Sequence, residues 1–200
     1  TRRSSDLGIK ERRIAAAGQV TTDMAYVAAK MAIETAGLDP KEIDMIIFAS
    51  VTGDHPMPAS ACVLQQKLGC RKVFSFDLSA ACSGFIYGAT IADQFIRTGM
   101  YKNILVVGAE VLSRIVDYTD RGTCILFGDG AGAVVISRAP ESSKSQFYSE
   151  ELFADGQLGE LFALEAGGSK MPFSQEVLDQ RKQFVRMKGR EIFRHAVRTM

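Results

Sequence analysis

The sequence holds only two histidines and four cysteines in 200 residues, and no C-x-x-C pair. Cys62, Cys70, Cys82 and Cys124 follow no ligand spacing, so neither a zinc site nor a disulfide framework is expected. No apolar run approaches the roughly 20 residues that a transmembrane helix needs. The opening stretch TRRSSDLGIKERR lacks the apolar core of a signal peptide. Net charge is nearly absent as well: a formal value of +1 gives no electrostatic reason to expect a nucleic-acid partner. No internal repeat is visible. Together these absences point to a cytoplasmic protein with neither nucleic acid nor membrane as a partner.

What is present is ordinary globular composition, with 46% hydrophobic and 24% charged residues. A chain of this length can bury about 70% of its extended surface, which makes one domain, or a large part of one, the default. Helix and strand patterns alternate along it. Thr21-Thr22-Asp23 offers caps for a helix from about Met24 to Ala36, closed by Gly37 and followed by Pro40. Asp44 to Ser50 is a continuous apolar strand of the kind buried on both faces. Ala59 to Leu68 reads as a helix, residues 73–78 as a half-buried strand, about 82–98 as a helix ended by Gly99, and Asn103 to Ala109 as another buried strand. Cys124 to Phe127 and Ala131 to Ser137 read as paired strands joined by Gly128-Asp129-Gly130. The fold class is therefore α/β, a mixed sheet layered between helices.

After Pro140 the pattern loosens. Phe147 to Phe153 reads as a further strand, Gly167 to about Phe173 as a surface loop, and Lys188 to Met200 as a helix with Ile192, Phe193, Ala196 and Val197 on one face. The last helix carries no terminating signal. Arg181, Lys182, Arg186, Lys188, Arg190, Arg194 and Arg198 gather positive charge there, which is read as a solvated helix face or as a surface that attracts an acidic or phosphate-bearing partner.

The segment Asp77 to Gly88, DLSAACSGFIYG, carries the chemistry. Cys82 falls where a strand hands over to a helix, and unpaired N–H groups at a helix N-terminus favour the thiolate form of a cysteine. Ser79, Ala80, Ala81, Ser83 and Gly84 are small enough to let a substrate approach closely. FGDGAGA at Phe127 to Ala133 invites comparison with a nucleotide loop. It leads into a strand rather than a helix, so the phosphate-binding geometry is missing.

Four motifs, GIKERRIAA at Gly8, DLSAACSGFIYG at Asp77, YTDRGTCILFGDGAGAVV at Tyr118 and MKGREIF at Met187, resemble β-ketoacyl-acyl-carrier-protein synthase III in family order. The resemblance implies a thiolase-like layered fold of two similar halves, paired as a homodimer. Residues 1–140 would form the N-terminal half that carries the nucleophile, and 141–200 an insertion or cap segment with the start of the following helix. The sequence reads as truncated at both ends relative to that layout, with the C-terminal half absent.

The implied activity is a decarboxylative Claisen condensation of an acyl-CoA primer with malonyl-acyl-carrier protein, which initiates fatty acid biosynthesis without a metal or resident cofactor. Cys82 matches the nucleophile. A thiolate suits this role because the acyl-enzyme keeps the reactivity of a thioester. The family stabilises developing oxyanions with the cysteine's own N–H, a second backbone amide, and a histidine and an asparagine of the C-terminal half. His55 and His195 match neither catalytic position. Arg121 matches a coenzyme A contact, set against an ion pair with Asp117 or Asp120. Gly189 matches a glycine beside the pantetheine tunnel. Met57 and Leu112 correspond to the acyl pocket, and Arg2 or Arg3 corresponds to a further arginine that contacts coenzyme A. A polyketide starter synthase, an acyltransferase forming esters or amides, and a non-catalytic binding or dimerisation module are the alternatives.

Overall fold

The computed structural model describes residues 8–199. They form two compact units, one of residues 15–111 and 129–152, the other of residues 8–14, 112–128 and 153–199. Arg2 and Arg3 lie outside the described residues.

The first unit is built on a four-stranded sheet: β1 (Met45–Ala49), β2 (Phe74–Leu78), β3 (Asn103–Val111) and β4 (Asp129–Ser137), in the order β2-β1-β3-β4. β1 runs parallel to both β2 and β3, while β4 is antiparallel to β3, so the sheet is mixed, as its pattern predicts. Every residue of β1 is buried, which a continuous Met-Ile-Ile-Phe-Ala run requires. Alternation then sorts the side chains. Ile46, Phe48, Leu105 and Val107 meet Ala25, Ala29 and Ile33 of α1 (Thr21–Thr35) and Leu64 of α2 (Ser60–Leu68). Met45, Ile47, Ile104 and Val106 meet Ala92 and Ile96 of α3 (Gly84–Arg97) on the other face. This gives helix, sheet, helix layering.

Local chemistry shifts several element ends. α1 begins at Thr21 rather than Met24, because Val20 occupies the cap position and Asp23, in the first turn, accepts from the Val20 amide at 3.0 Å. The threonines serve the neighbouring loop instead. Thr22 donates its amide and hydroxyl to Asp54, and the Thr21 hydroxyl donates to the Thr52 carbonyl. α2 ends at Gly69, whose φ of 71° is left-handed. α3 starts at Gly84, after a 3-10 turn over Ala81–Ser83. Phe85 and Ile86 are about half exposed, while Ala89, Ala92 and Ile96 of this helix are buried.

Two expected strands are absent. Residues 124–127 lie in successive turns rather than in a strand paired with β4, because Asp120 organises this stretch. Its carbonyl accepts from the amides of Thr123 and Cys124, and its carboxylate accepts from Gly122 at 2.8 Å. Such local bonding outweighs the apolar Ile-Leu-Phe pattern. Residues 147–153 also form no strand. The Phe147 carbonyl accepts from the Arg97 guanidinium at 3.3 Å, a side-chain partner in place of a ladder.

In the second unit, β5 (Phe162–Ala163) and β6 (Arg186–Met187) make a short antiparallel pair. A short helix not expected from the sequence, α4 (Gln175–Asp179), is capped by Ser174, whose hydroxyl accepts from the Val177 amide. α5 (Gly189–Thr199) follows, with Phe193 and Val197 exposed rather than buried on its apolar face. The GIKERR segment runs against residues 125–128. Arg12 donates to the Ile125 carbonyl, and a Cβ on Gly128 would lie 3.1 Å from the Arg13 carbonyl. The loop from Gly167 to Phe173 closes on itself through a Gly167 to Met171 hydrogen bond of 2.9 Å.

Candidate functional site

The three parallel strands end on one side of the sheet, and Cys82 follows the end of β2 there, exposed. Carboxyl ends of parallel strands are where α/β sheets bind ligands. Ala81, immediately before the cysteine, has a φ of 44°, left-handed backbone that an alanine adopts only at a cost of about 1–3 kcal/mol. That turn carries the chain from the strand into the helix. Two residues later, Gly84 sits against β1 so closely that a Cβ there would be 2.8 Å from Ala49 Cβ. The cysteine is thus held by a backbone packed onto the sheet.

Cys82 opens onto a concavity of about 240 Å³. Its walls are mostly small residues, Ala49, Ala81, Gly108, Ala109, Gly130, Ala131 and Gly132, together with Phe85 and Glu110. Gly130 and Gly132 belong to the FGDGAGA motif and begin β4 opposite Glu110 and Gly108. A Cβ on either would meet nothing within 4 Å, so both leave open space beside the sheet end. Sequence reasoning set this motif aside because it lacked nucleotide-loop geometry. Its contribution lies in small residues placed by strand pairing.

Glu110 was also not anticipated. Its carboxylate accepts from the Val51 amide at 2.8 Å and from the Thr52 hydroxyl, while the Val111 amide donates to the same hydroxyl at 2.9 Å. These bonds fix the β1–α2 loop that leads to Met57, which is 82% exposed. Asp77, in the cysteine motif, accepts from the amides of Ser60 and Ala61 at 2.7 Å each. The strand that delivers Cys82 therefore also holds the start of α2.

Leu112, Arg121 and Gly189 belong to the second unit, whereas Cys82 and Met57 belong to the first. Leu112 is partly buried, and Arg121 and Gly189 are exposed. Among the described residues Arg121 pairs with neither Asp117 nor Asp120. Asp117 is taken by Arg181, whose Nε and Nη2 donate to its two oxygens at 2.9 and 2.6 Å. Arg181 thus leaves the basic cluster for a specific ion pair, and its guanidinium lies 5.1 Å from the Phe184 ring centre. The Arg181 hydrogen bonds, then those from Thr119, hold the Asp117 carboxyl well below the usual carboxylate range. Burial pushes the Cys70 thiol up, with Asp39 adding to the effect. His55 and His195 are both exposed. Among the described residues no cluster of His, Cys, Asp or Glu could hold a metal ion. No described helix is long and apolar enough to cross a membrane.

A sequence profile for 3-oxoacyl-[acyl-carrier-protein (ACP)] synthase III matches residues 76–156, the stretch containing Cys82, Arg121 and the glycine-rich motif. The β-ketoacyl-[acyl-carrier-protein] synthase III of Sulfurovum sp. is 50% identical over 194 residues, covering 96% of this chain. The crystal structure of 3-oxoacyl-[acyl-carrier-protein] synthase III from Aquifex aeolicus superposes over 96% of the chain with a TM-score of 0.83 and 47% identity. The chain is a relative of the 3-oxoacyl-[acyl-carrier-protein] synthases III. It spans 57% of the Sulfurovum synthase and 57% of the Aquifex chain. The α/β, thiolase-like layering is what it shares with these synthases. The priming β-ketosynthase of the R1128 polyketide pathway is a more distant match, at 28% identity and a TM-score of 0.79 over 95% of the chain.

Proposed function

We propose that the protein acts as a β-ketoacyl-acyl-carrier-protein synthase III. In this reading it condenses an acyl-CoA primer with malonyl-acyl-carrier protein to initiate fatty acid synthesis. The single observation that carries the reading is the exposed Cys82 at the sheet's carboxyl end, opening onto a concavity walled by glycine and alanine. A thioester needs that kind of opening, because the sulfur must reach a carbonyl carbon that is flanked by a second sulfur and by the acyl chain.

The Cys82 thiolate attacks the thioester carbonyl, the bond to the coenzyme A sulfur breaks, and coenzyme A leaves as its thiolate, which takes up from solvent the proton that Cys82 released on ionising. Malonyl-carrier protein then loses carbon dioxide. Its enolate carbon attacks the acyl-cysteine carbonyl and returns the sulfur of Cys82 as the leaving group. The resemblance assigns part of the oxyanion stabilisation to the amide of Cys82 itself and to a second backbone amide. The resemblance assigns the remaining donors to a histidine and an asparagine, and neither His55 nor His195 fills that role. Arg121 and Gly189 would receive coenzyme A, and Met57 and Leu112 would border the acyl chain. Residues 1–140 correspond in this reading to the N-terminal half, and 141–200 to the insertion with the start of the next helix. A cytoplasmic homodimer that uses coenzyme A thioesters as substrate and no resident cofactor completes it.

Similarity to a priming ketosynthase of a polyketide pathway favours a second reading, in which the same acyl-cysteine serves a different extender or carrier. Intact mass of the natural protein with acetyl-CoA, followed by peptide mapping, tests what the two have in common. One acetyl group on Cys82, absent in Cys82→Ala, is expected. No adduct would sink both readings and favour a binding or dimerisation module. Turnover of the acyl-enzyme with malonyl-carrier protein, and the 3-oxoacyl product formed, then separates fatty acid from polyketide priming.

A further inference from the structure

We infer that Asp117 and Arg181 are positioning residues for coenzyme A, which fix the turn that presents Arg121. The inference rests on the acyl-CoA reading above and adds two residues to it.

Asp117 is 4% exposed, and all its bonding is directed at the turn and its anchor. One oxygen accepts from the Thr119 amide at 2.8 Å and the Thr119 hydroxyl at 2.6 Å, and the same oxygen accepts from Arg181 Nη2. The other oxygen accepts from Arg181 Nε, which completes a bidentate pair. The Asp117 carbonyl accepts from the Asp120 amide, and Asp120 in turn bonds Gly122 and Thr123. Every residue flanking Arg121 is thus tied back to Asp117 in one or two steps. Arg121 itself is exposed and, among the described residues, carries no ion pair.

The anchor is built with equal specificity. Arg181 has a φ of 56°, a left-handed conformation that disfavours any side chain with a Cβ. Glycine or asparagine would hold that backbone more cheaply. An arginine there makes sense for what its guanidinium reaches. The amides of Arg181 and Lys182 donate to Leu178 and Val177, which fastens the turn to α4, and the Val185 amide donates to the Ile115 carbonyl at 2.8 Å. One ion pair therefore joins the Arg121 turn to the segment that continues through β6 to Gly189. A turn already ordered in the free protein costs less to bring onto a polyanion than a mobile one, because the ordering of its backbone has already been met.

Charge alone makes the opposite prediction, which supplies the test. Asp117→Asn removes a negative charge, so simple electrostatics predicts tighter binding of coenzyme A. Positioning predicts weaker binding, by about tenfold, the scale of one lost charge-assisted hydrogen bond. The measurement is calorimetric titration of the full natural protein with coenzyme A, for wild type, Asp117→Asn, Arg181→Lys and Arg121→Ala, and for Asp117→Asn in the Arg121→Ala background. Acetylation of Cys82 by acetyl-pantetheine, which lacks the nucleotide, is followed in parallel.

Weaker coenzyme A binding in Asp117→Asn, no added loss in the Arg121→Ala background, and unchanged acetyl-pantetheine transfer are expected. Arg181→Lys keeps the charge but cannot pair bidentately, so it should weaken coenzyme A binding in the same direction. It decides the matter if Asp117→Asn does not fold. Tighter or unchanged binding, or equal losses with both acyl donors, would overturn the assignment. A wild-type protein that binds coenzyme A yet never acylates Cys82 would refute the proposed reaction and leave the positioning role standing. A wild-type protein that does not bind coenzyme A would refute both.

Discussion

Gly84→Ala is the substitution that most directly probes how Cys82 is held. The new Cβ would stand 2.8 Å from Ala49 Cβ, against an optimal carbon separation of about 3.5–4.0 Å. Relief requires the start of α3 to retreat from β1 by roughly 1 Å, because the obstacle is a fully buried strand and not the end of a flexible side chain. Overpacking of this kind costs about 1–3 kcal/mol, of which a better helix former returns at most about 1 kcal/mol. At the middle of that range the net loss, about 1–2 kcal/mol, would lower the melting temperature by roughly 2–8 °C at this size. Because Cys82 lies two residues upstream, its alkylation rate by iodoacetamide should change as well. Thermal unfolding by circular dichroism and mass-resolved alkylation measure the two effects. Ala49→Gly in the same protein removes the colliding methyl and should restore part of both losses, a coupling that a double-mutant cycle isolates. An unchanged or raised melting temperature in Gly84→Ala, or no rescue by Ala49→Gly, would refute the close-packing account.

Asp77→Ala should destabilise the protein by about 1 kcal/mol, the usual value of a helix cap, seen as a lower denaturant midpoint with an unchanged slope. On acidification, Asp23 and Asp117 both contribute stability that is present above the unfolded carboxylate value of 3.8 and lost as pH falls through their lower folded values. Lys67 causes the first shift and Arg181 the second. Melting temperatures should therefore fall below about pH 4, and less steeply in Asp117→Asn than in wild type. Thiol mapping at pH 8 should label the exposed Cys82 and Cys62 well before Cys70, which is half-buried and whose thiol is pushed up by burial. Cys70 labelling first would contradict the packing around α2.

The layered fold was legible because periodicity reports burial. β1 is apolar at every position and lies between helices on both faces, and β2 alternates and is only partly covered. The junction that presents Cys82 was equally legible, since a strand pattern, small residues and a helix pattern meet there. Residues 124–127 misled because three apolar residues in a row carry a strand signal, while Asp120, four residues earlier, sets the backbone through turn bonds. Phe193 and Val197 were placed on the apolar face of the last helix and are exposed, because periodicity gives a face and not what covers it. The bonds of Glu110 and the pairing of Asp117 with Arg181 escaped notice for another reason: the partners are 58 to 64 residues apart, and no local pattern encodes such a bond.

β3 and β4 stay in register to their very ends, with Val111 opposite Asp129. Leu112–Gly128 thus leaves the sheet and returns at the same terminal rung of one ladder, and none of its residues pairs in that ladder. Such a segment can be exchanged as a cassette. Transplanting residues 112–128 from a relative, together with the matching partner for Asp117 at position 181, would ask for no new pairing between β3 and β4.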